Sequence, residues 1–250
     1  FDQLLLSPLL KNAAALIALQ KHEVSQILNS GGRSDRVYIV PNGLSQSAFS
    51  ADTLEGKFRA HYAIAPDKQI ILFLARINKK KGADLLVEAF ASLANEVRNQ
   101  AVLVIAGPDD GHLSEVKALV QQYELETAVL FPGLLQGEDV AAAYLDADVF
   151  VLPCRVDTFP VTIMEACRAQ TPIIVTETCE IADLIAGKAA TVVPIDIHAL
   201  STAITDLLQD EQLRKKYQAG AAELMQTAFS IEVVGDKLES IYSTLVSDAE

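Results

Sequence analysis

Two acids eight positions apart, Asp157 and Glu165, frame the segment 154-CRVDTFPVTIMEACRAQTPIIVT-176. At roughly 100° per residue, eight helical steps leave two side chains about 80° apart, so both can face one cleft. A carboxylate in such a cleft accepts hydrogen bonds from two neighbouring hydroxyls, as acidic side chains do with ribose in dinucleotide sites. A second cluster is basic. Arg76-Ile77-Asn78-Lys79-Lys80-Lys81-Gly82 puts four cations into six residues. An Arg grips two phosphate oxygens at once, a Lys acts as a point charge, and the start of the helix after Gly82 also favours anions. Gly82 would let the backbone come close to a ligand. Taken singly, each signal has a plain alternative: a solvated basic turn, or a capping acid followed by a surface Glu. The turn Gly107-Pro108-Asp109-Asp110 and the LFPGLLQGED loop, with Gly133 and Gly137, also read equally as simple connections. Asp157 or Thr158 is expected to cap the helix that carries Glu165, with Pro160 in its first turn, where no amide donor is needed.

The rest of the chain says which ligands to exclude. Lys and Arg number 20 against 33 Asp and Glu, a net charge of −13, which argues against a nucleic-acid footprint or broad attraction to anionic membrane. The basic island therefore stands out against an acidic background. Cys154, Cys167 and Cys179 lie 13 and 12 apart with no C-x-x-C, so buried free thiols in a reducing cytoplasm are expected rather than a structural zinc. Charged or polar residues interrupt every apolar block before the roughly 18–20 residues that would span a bilayer. Asp2 and Gln3 stand where a signal peptide needs positive charge.

The elements that would position these residues are legible as a rhythm. From Gln69 onward, apolar runs alternate with amphipathic helical patterns: QIILFLA, AVLVIAG, AVLF, DVFVLP, PIIVT and ATVVP. Near-continuous apolar strands imply burial on both faces, hence a doubly wound α/β domain with a mainly parallel, six-stranded, Rossmann-like sheet. Ligands in such sheets sit beyond the carboxyl ends of the strands, so the loops after FLA, VIAG, LFPG, FVLP and VT are the ones to inspect. Before Gln69 the pattern predicts one helix from about Pro8 to Leu28 and a short strand RVYIV, with no sheet of their own to join.

In their order and spacing, these features resemble the C-terminal, donor-binding domain of retaining glycosyltransferases of the GT-B fold, group 1 type. The resemblance runs from about Val37 to Tyr242 on IVPNGLSQSAF, LARINKKKGADLLVEAF, VIAGP, VLFPGLLQGEDVAAAYLDADVFVLP and DTFPVTIMEACRAQTPIIVT. ALIALQKHEVSQIL is similar to the last helix of that family's N-terminal domain. The resemblance implies three parts: residues 1–40 as the tail of a preceding domain and linker, 41–229 as the nucleotide-sugar domain, and 230–250 as a helix crossing back to the absent half. It implies that Arg76 and Lys81 hold the diphosphate, Asp157 lies near the transferred sugar, Glu165 binds the ribose hydroxyls and the backbone at Leu135 reads the base. Gly107, Thr158 and Phe159 complete the donor seat. The donor would be a UDP-, GDP- or ADP-linked hexose and the acceptor a sugar or glycolipid. No metal and no separate cofactor are expected. The setting would be cytoplasmic, peripheral to membrane only through the absent domain. The isolated chain is expected to be inactive and to self-associate through its last helix. Departures from the family pattern are Asp157 for the first glutamate, and Pro160, Gln170 and Ala75 for glycines. A non-catalytic nucleotide-sugar-binding module and a sugar-nucleotide epimerase are the alternatives.

Overall fold

A computed structural model of the protein describes residues 2–45 and 54–247, with side chains from residue 6 onward. The end of IVPNGLSQSAF, residues 46–49, lies outside the described residues. These residues divide into two compact units, one formed by those up to 45 together with those from 226, the other by those up to 225 from 54.

The first unit departs from the single long helix expected over Pro8–Leu28. The chain instead forms α1 (Asp2–Asn12), with Pro8 inside it, then β1 (Leu16–Ala18), α2 (Lys21–Asn29) and β2 (Val37–Ile39). β1 pairs in parallel with β2, Leu16 opposite Val37 and Ala18 opposite Ile39, so the opening does have a sheet of its own. The run Ala13 to Ala18 is apolar throughout and carries no periodicity, and the pairing partner, Val37 for Leu16, decides its state over helix propensity. The last helix of the chain belongs to this unit. There Val234 and Ile241 bury against Val40, with Ala15, Tyr38, Leu238 and Leu245 packed around them. Leu44 and Ile231 exchange backbone bonds with residues 229 and 44, which fixes the start of that helix.

The second unit holds the parallel sheet. After α3 (Lys57–His61) come β3 (Gln69–Leu74), α4 (Ala83–Ala91), α5 (Asn95–Arg98), β4 (Ala101–Ala106), α6 (Leu113–Gln122) and β5 (Val129–Gly133). Then follow α7 (Glu138–Asp146), β6 (Val149–Leu152), α8 (Val161–Arg168), β7 (Ile173–Thr176), α9 (Ala182–Ile185), β8 (Ala190–Val193), α10 (Ile197–Gln209) and α11 (Glu211–Leu224). The helix from Ile231 to Ser247 is α12. All six strands pair in parallel in the order β5-β4-β3-β6-β7-β8. The fold class is the one the apolar runs predict. Ile70–Phe73, Leu103–Ala106, Val149–Leu152 and Ile173–Val175 are all fully buried, each large side chain contributing about 1.5–3 kcal/mol by leaving water. α4 packs on α6 and α10 over one face, while α7 meets α3 and α8, and α8 meets α11, over the other. Side-chain caps start the later helices: Asp196 accepts from the Ala199 amide at 2.8 Å and Asp210 from the Leu213 amide at 2.9 Å.

One topological fact positions the site. From β3 the chain winds outward through β4 and β5, then returns to lay β6 on the other side of β3, Ile71 opposite Val149. The loops leaving β3 and β6 therefore run to opposite sides of one sheet position. A crevice opens at such a reversal, beyond the carboxyl ends of the strands.

Candidate functional site

The loop after β3 makes a tight turn whose shape is set by Asn78. The Asn78 Oδ1 accepts the Lys81 amide at 3.2 Å, closing a 3₁₀ turn over Lys79–Lys81. Gly82 follows at φ +78°, and a Cβ there would lie 2.0 Å from the carbonyl oxygen of Pro153, at the end of β6. The glycine is thus required by the protein's own backbone: it lets the β3 and β6 loops touch. Gly107 does the same between neighbouring strands, since a Cβ there would lie 1.9 Å from the Ala75 carbonyl oxygen.

This contact brings Lys81 to Asp157. The Lys81 ammonium bonds the Asp157 carboxylate, with the two side chains only 17% and 13% exposed. Asp157 is held from behind as well, because its carbonyl accepts the Glu180 amide at 2.9 Å. Two residues 76 apart in sequence, one from each side of the topological reversal, meet as a mostly dehydrated ion pair. In low-dielectric surroundings the attraction within such a pair is strong but is set against the desolvation of both charges, and loss of either partner leaves the other charge uncompensated.

A second clamp, which the sequence did not reveal, fixes the same loops. Arg155 forks onto the Asp84 carboxylate at 2.9 and 2.7 Å, and its Nη1 also reaches the Lys79 carbonyl at 2.6 Å. The Arg155 amide donates to the Lys80 carbonyl at 2.7 Å. Asp84 sits in the first turn of α4, buried, with His112 Nε2 at 3.6 Å. Burial works against its charge, but the Arg155 guanidinium, with His112 beside it, outweighs that and holds the carboxyl below its ordinary value. No local pattern joins Arg155 to Asp84, which are 71 residues apart. The only signal is that an arginine follows the β6 strand where a loop cation has work to do.

Arg76 is placed differently from Lys81. Its guanidinium, 65% exposed, bonds Asp110 at 2.9 Å, and Asn78 donates to the same oxygen at 2.7 Å. Asp110 thus staples the β3 loop to the β4 loop, whose backbones also pair, Ile77 amide to Pro108 carbonyl at 2.8 Å and Asp110 amide to Ile77 carbonyl at 3.0 Å. Asp109 closes the same turn by accepting the amides of Gly111, His112 and Leu113. Those backbone bonds hold its carboxyl below the ordinary value.

The helix carrying Glu165 starts later than expected. Pro160 occupies the cap position with extended backbone, φ −69° and ψ 120°, and Val161 is the first helical residue. Neither Asp157 nor Thr158 caps it: the Asp157 carboxylate is engaged by Lys81, and the proline supplies the turn by its fixed φ. Phe159 is buried beside it. Glu165, in the middle of α8, accepts a hydrogen bond from the hydroxyl of the fully buried Tyr144 at 3.2 Å. Burial raises the Glu165 carboxyl above its usual range, while Tyr144 and Arg168 pull it back. Gln170, after the end of α8, has φ +56°, the left-handed backbone that a glycine adopts freely. Leu135 lies buried in the short connection between β5 and α7. Cys154, Cys167 and Cys179 are free and buried, as expected for structural thiols.

So the structure joins Lys81 to Asp157 directly, holds Gly107 against the Arg76 segment, and gives Arg76 and Glu165 partners, Asp110 and Tyr144, that the sequence did not single out. Among the described residues no group of three or more His, Cys, Asp or Glu is placed to hold a metal ion. Among them, too, no helix is long and apolar enough to cross a membrane.

The description "Glycosyl transferases group 1" matches residues 55–224, more than half of the chain and all of the parallel sheet. The chain belongs to the group 1 glycosyltransferase family. Among its relatives in this family is an uncharacterized glycosyltransferase of Methanocaldococcus jannaschii, 26% identical over 227 residues, covering 89% of this chain and 57% of the relative. Another is the GDP-mannose-dependent alpha-(1-6)-phosphatidylinositol monomannoside mannosyltransferase of Mycolicibacterium smegmatis, 24% identical over 209 residues, covering 80% and 54%. The chain thus spans a little over half the length of these curated relatives. Among solved structures, sucrose-phosphate synthase from Thermosynechococcus elongatus superposes with a TM-score of 0.83 at 24% identity, over 98% of this chain and 62% of that one. Anabaena HepE in complex with UDP gives 0.87 at 18% identity, over 98% and 68%. At these identities the superpositions establish the glycosyltransferase fold. The Lys81 and Asp157 loops, joined at the sheet's reversal, are the candidate site.

Proposed function

We propose that this chain is the donor-binding half of a retaining glycosyltransferase, which moves a hexose from a nucleoside-diphosphate sugar to an acceptor hydroxyl. The observation that carries the reading is the meeting of Lys81 and Asp157 across the topological reversal of the sheet, where an anionic ligand would meet the chain's basic loop. Arg76 and Lys81 bind the diphosphate. As the bond between the anomeric carbon and the phosphate oxygen breaks, that oxygen leaves with the bonding pair, and the two cations stabilise its charge. The acceptor hydroxyl approaches from the same face, its oxygen bonds the anomeric carbon, and its proton passes to the departing phosphate oxygen. Asp157 orients the sugar, Glu165 accepts from the ribose hydroxyls, and the backbone near Leu135 lies along the base. Gly107, Thr158 and Phe159 shape the seat.

In this reading Lys81 carries its substrate's counter-charge in advance. Asp157 holds the ammonium in place in the free protein and yields it to the diphosphate on binding, then turns to the sugar. No metal is assigned a part. Support for a nucleotide-sugar donor comes from family membership and from fold relatives such as HepE, solved with UDP and with UDP-glucose. Residues 1–40 are assigned to the tail of a preceding domain and its linker, and 230–250 to a helix that crosses back to that domain, in a cytoplasmic setting.

The test is a titration of UDP, GDP, ADP and their hexose conjugates, followed by assay of the intact enzyme with sugar acceptors and NMR of the product's anomeric configuration. One diphosphate series binding, with transfer and retention, is the expected result. Binding without transfer or hydrolysis favours a non-catalytic module, conversion of the donor without acceptor favours an epimerase, and no binding at all removes the reading.

A further inference from the structure

Tyr144 is fully buried on α7, its ring lies edge-on to Phe150 with centroids 5.4 Å apart, and its carbonyl accepts the Thr171 hydroxyl at 2.8 Å. The ring therefore has no freedom to turn away, and its single hydroxyl proton goes to Glu165 Oε2 at 3.2 Å. A glutamate side chain with no such partner rotates broadly about its terminal torsion. Here one oxygen is pinned by a donor from the adjacent helix, 21 residues away, while the other has no hydrogen-bond partner among the described residues. Arg168, one turn further along α8, adds positive charge that favours the ionised form.

We infer that Tyr144 is a positioning residue: its hydroxyl fixes the rotation of the Glu165 carboxylate so that the opposite oxygen meets the ribose hydroxyls, which makes Tyr144 a determinant of selectivity for ribonucleotides over 2′-deoxyribonucleotides. The inference rests on the reading of Glu165 as the ribose ligand. A carboxylate free to swing loses orientation toward a pair of vicinal hydroxyls, whereas the diphosphate, held by Arg76 and Lys81 on the loop after β3, does not feel the change.

The experiment uses the intact protein and calorimetric titration with UDP, GDP and ADP, their 2′-deoxy counterparts, and inorganic pyrophosphate, on wild type, Tyr144→Phe, Glu165→Gln and the double variant. For the base that binds, wild type is expected to prefer the ribonucleotide about tenfold, corresponding to about 1.4 kcal/mol. Tyr144→Phe should reduce that preference to about threefold or less while leaving pyrophosphate affinity unchanged, and the double variant should be no worse than Glu165→Gln. A Tyr144→Phe protein that keeps the wild-type preference overturns the inference, and so does one that weakens pyrophosphate by the same factor, which marks general loss of packing. If wild type shows no ribose preference, or Glu165→Gln keeps it, the assignment of Glu165 fails and the inference falls with it. Should Tyr144→Phe not fold, replacement of tyrosine by 3-fluorotyrosine supplies a stronger phenol donor, and an unchanged preference there overturns the inference while a raised one supports it.

Discussion

Arg155 and Glu165 carry opposite consequences for stability and function. Arg155 touches no proposed ligand, yet its fork on Asp84 and its bonds to the Lys79 and Lys80 carbonyls shape the turn that aims Lys81. Arg155→Ala should cost about 2–4 kcal/mol by stranding a buried carboxylate, and should weaken diphosphate binding alongside. Arg155→Lys keeps the charge but not the fork, so it should recover only part of both, as read by chemical denaturation and titration. Glu165 is a residue whose burial opposes its charge. Glu165→Gln still accepts from Tyr144, so it should raise stability by about 0.5–1 kcal/mol while losing nucleotide affinity, the exchange expected at a site where function outranks stability. A destabilised Glu165→Gln protein would contradict this account. Cys167 gives a pH-dependent prediction. Its thiol is fully buried and pushed up to about 12 from an ordinary value near 9. The unfolded chain therefore loses that proton first. The contribution is complete below about pH 9 and is lost between 9 and 12, at about 1.4 kcal/mol per pH unit. Cys167→Ala should flatten the alkaline fall in stability by that slope, measured as the difference from wild type. At this scale the sequence was only partly legible. Residue types that bind phosphate or accept hydroxyls could be named, because their chemistry is local. Their partners could not: Asp84, Asp110, Tyr144 and Asp157 reach them over 21 to 76 residues, through sheet topology rather than through spacing.

Elements differ in how much their sequence says. The six strands of the parallel sheet were readable because burial on both faces leaves a run of apolar residues with no alternation to confuse. β1 was not, since Leu16–Ala18 follows three alanines and reads as the middle of a helix until Val37–Ile39 is there to pair with it. The start of α8 was misplaced for a related reason. Asp157 and Thr158 have good capping side chains, but the ion pair to Lys81 takes the first and Pro160 takes the position itself. The end of α8 is a left-handed turn in which the Thr171 amide bonds the Ala166 carbonyl at 2.9 Å and the Gln170 amide bonds Cys167 at 3.0 Å. Gln170 pays for this conformation with strain at φ +56°. Gln170→Gly should therefore stabilise the protein by about 1 kcal/mol, a rise of about 2–4 °C in melting temperature, without changing nucleotide affinity. An unchanged or lower melting temperature would contradict the strain argument. Gly82→Ala should do the reverse, because its Cβ would lie 2.0 Å from the Pro153 carbonyl oxygen, a backbone atom that cannot readily move aside. Stability and diphosphate binding should fall together there.

The whole molecule is strongly acidic, and this sharpens the role of one basic loop. With a net charge of −13, long-range electrostatics oppose a diphosphate, so binding depends on short-range contacts with Arg76 and Lys81. The sheet's reversal makes those contacts possible by bringing the β3 and β6 loops together at a single glycine. The most direct measurement is a calorimetric titration of the intact wild-type protein and of Lys81→Ala with the nucleoside diphosphate that wild type binds, compared with Lys79→Ala. The account predicts that Lys81→Ala weakens binding at least tenfold, by about 1.4 kcal/mol or more, while Lys79→Ala changes it little. Equal affinities for wild type and Lys81→Ala would contradict it.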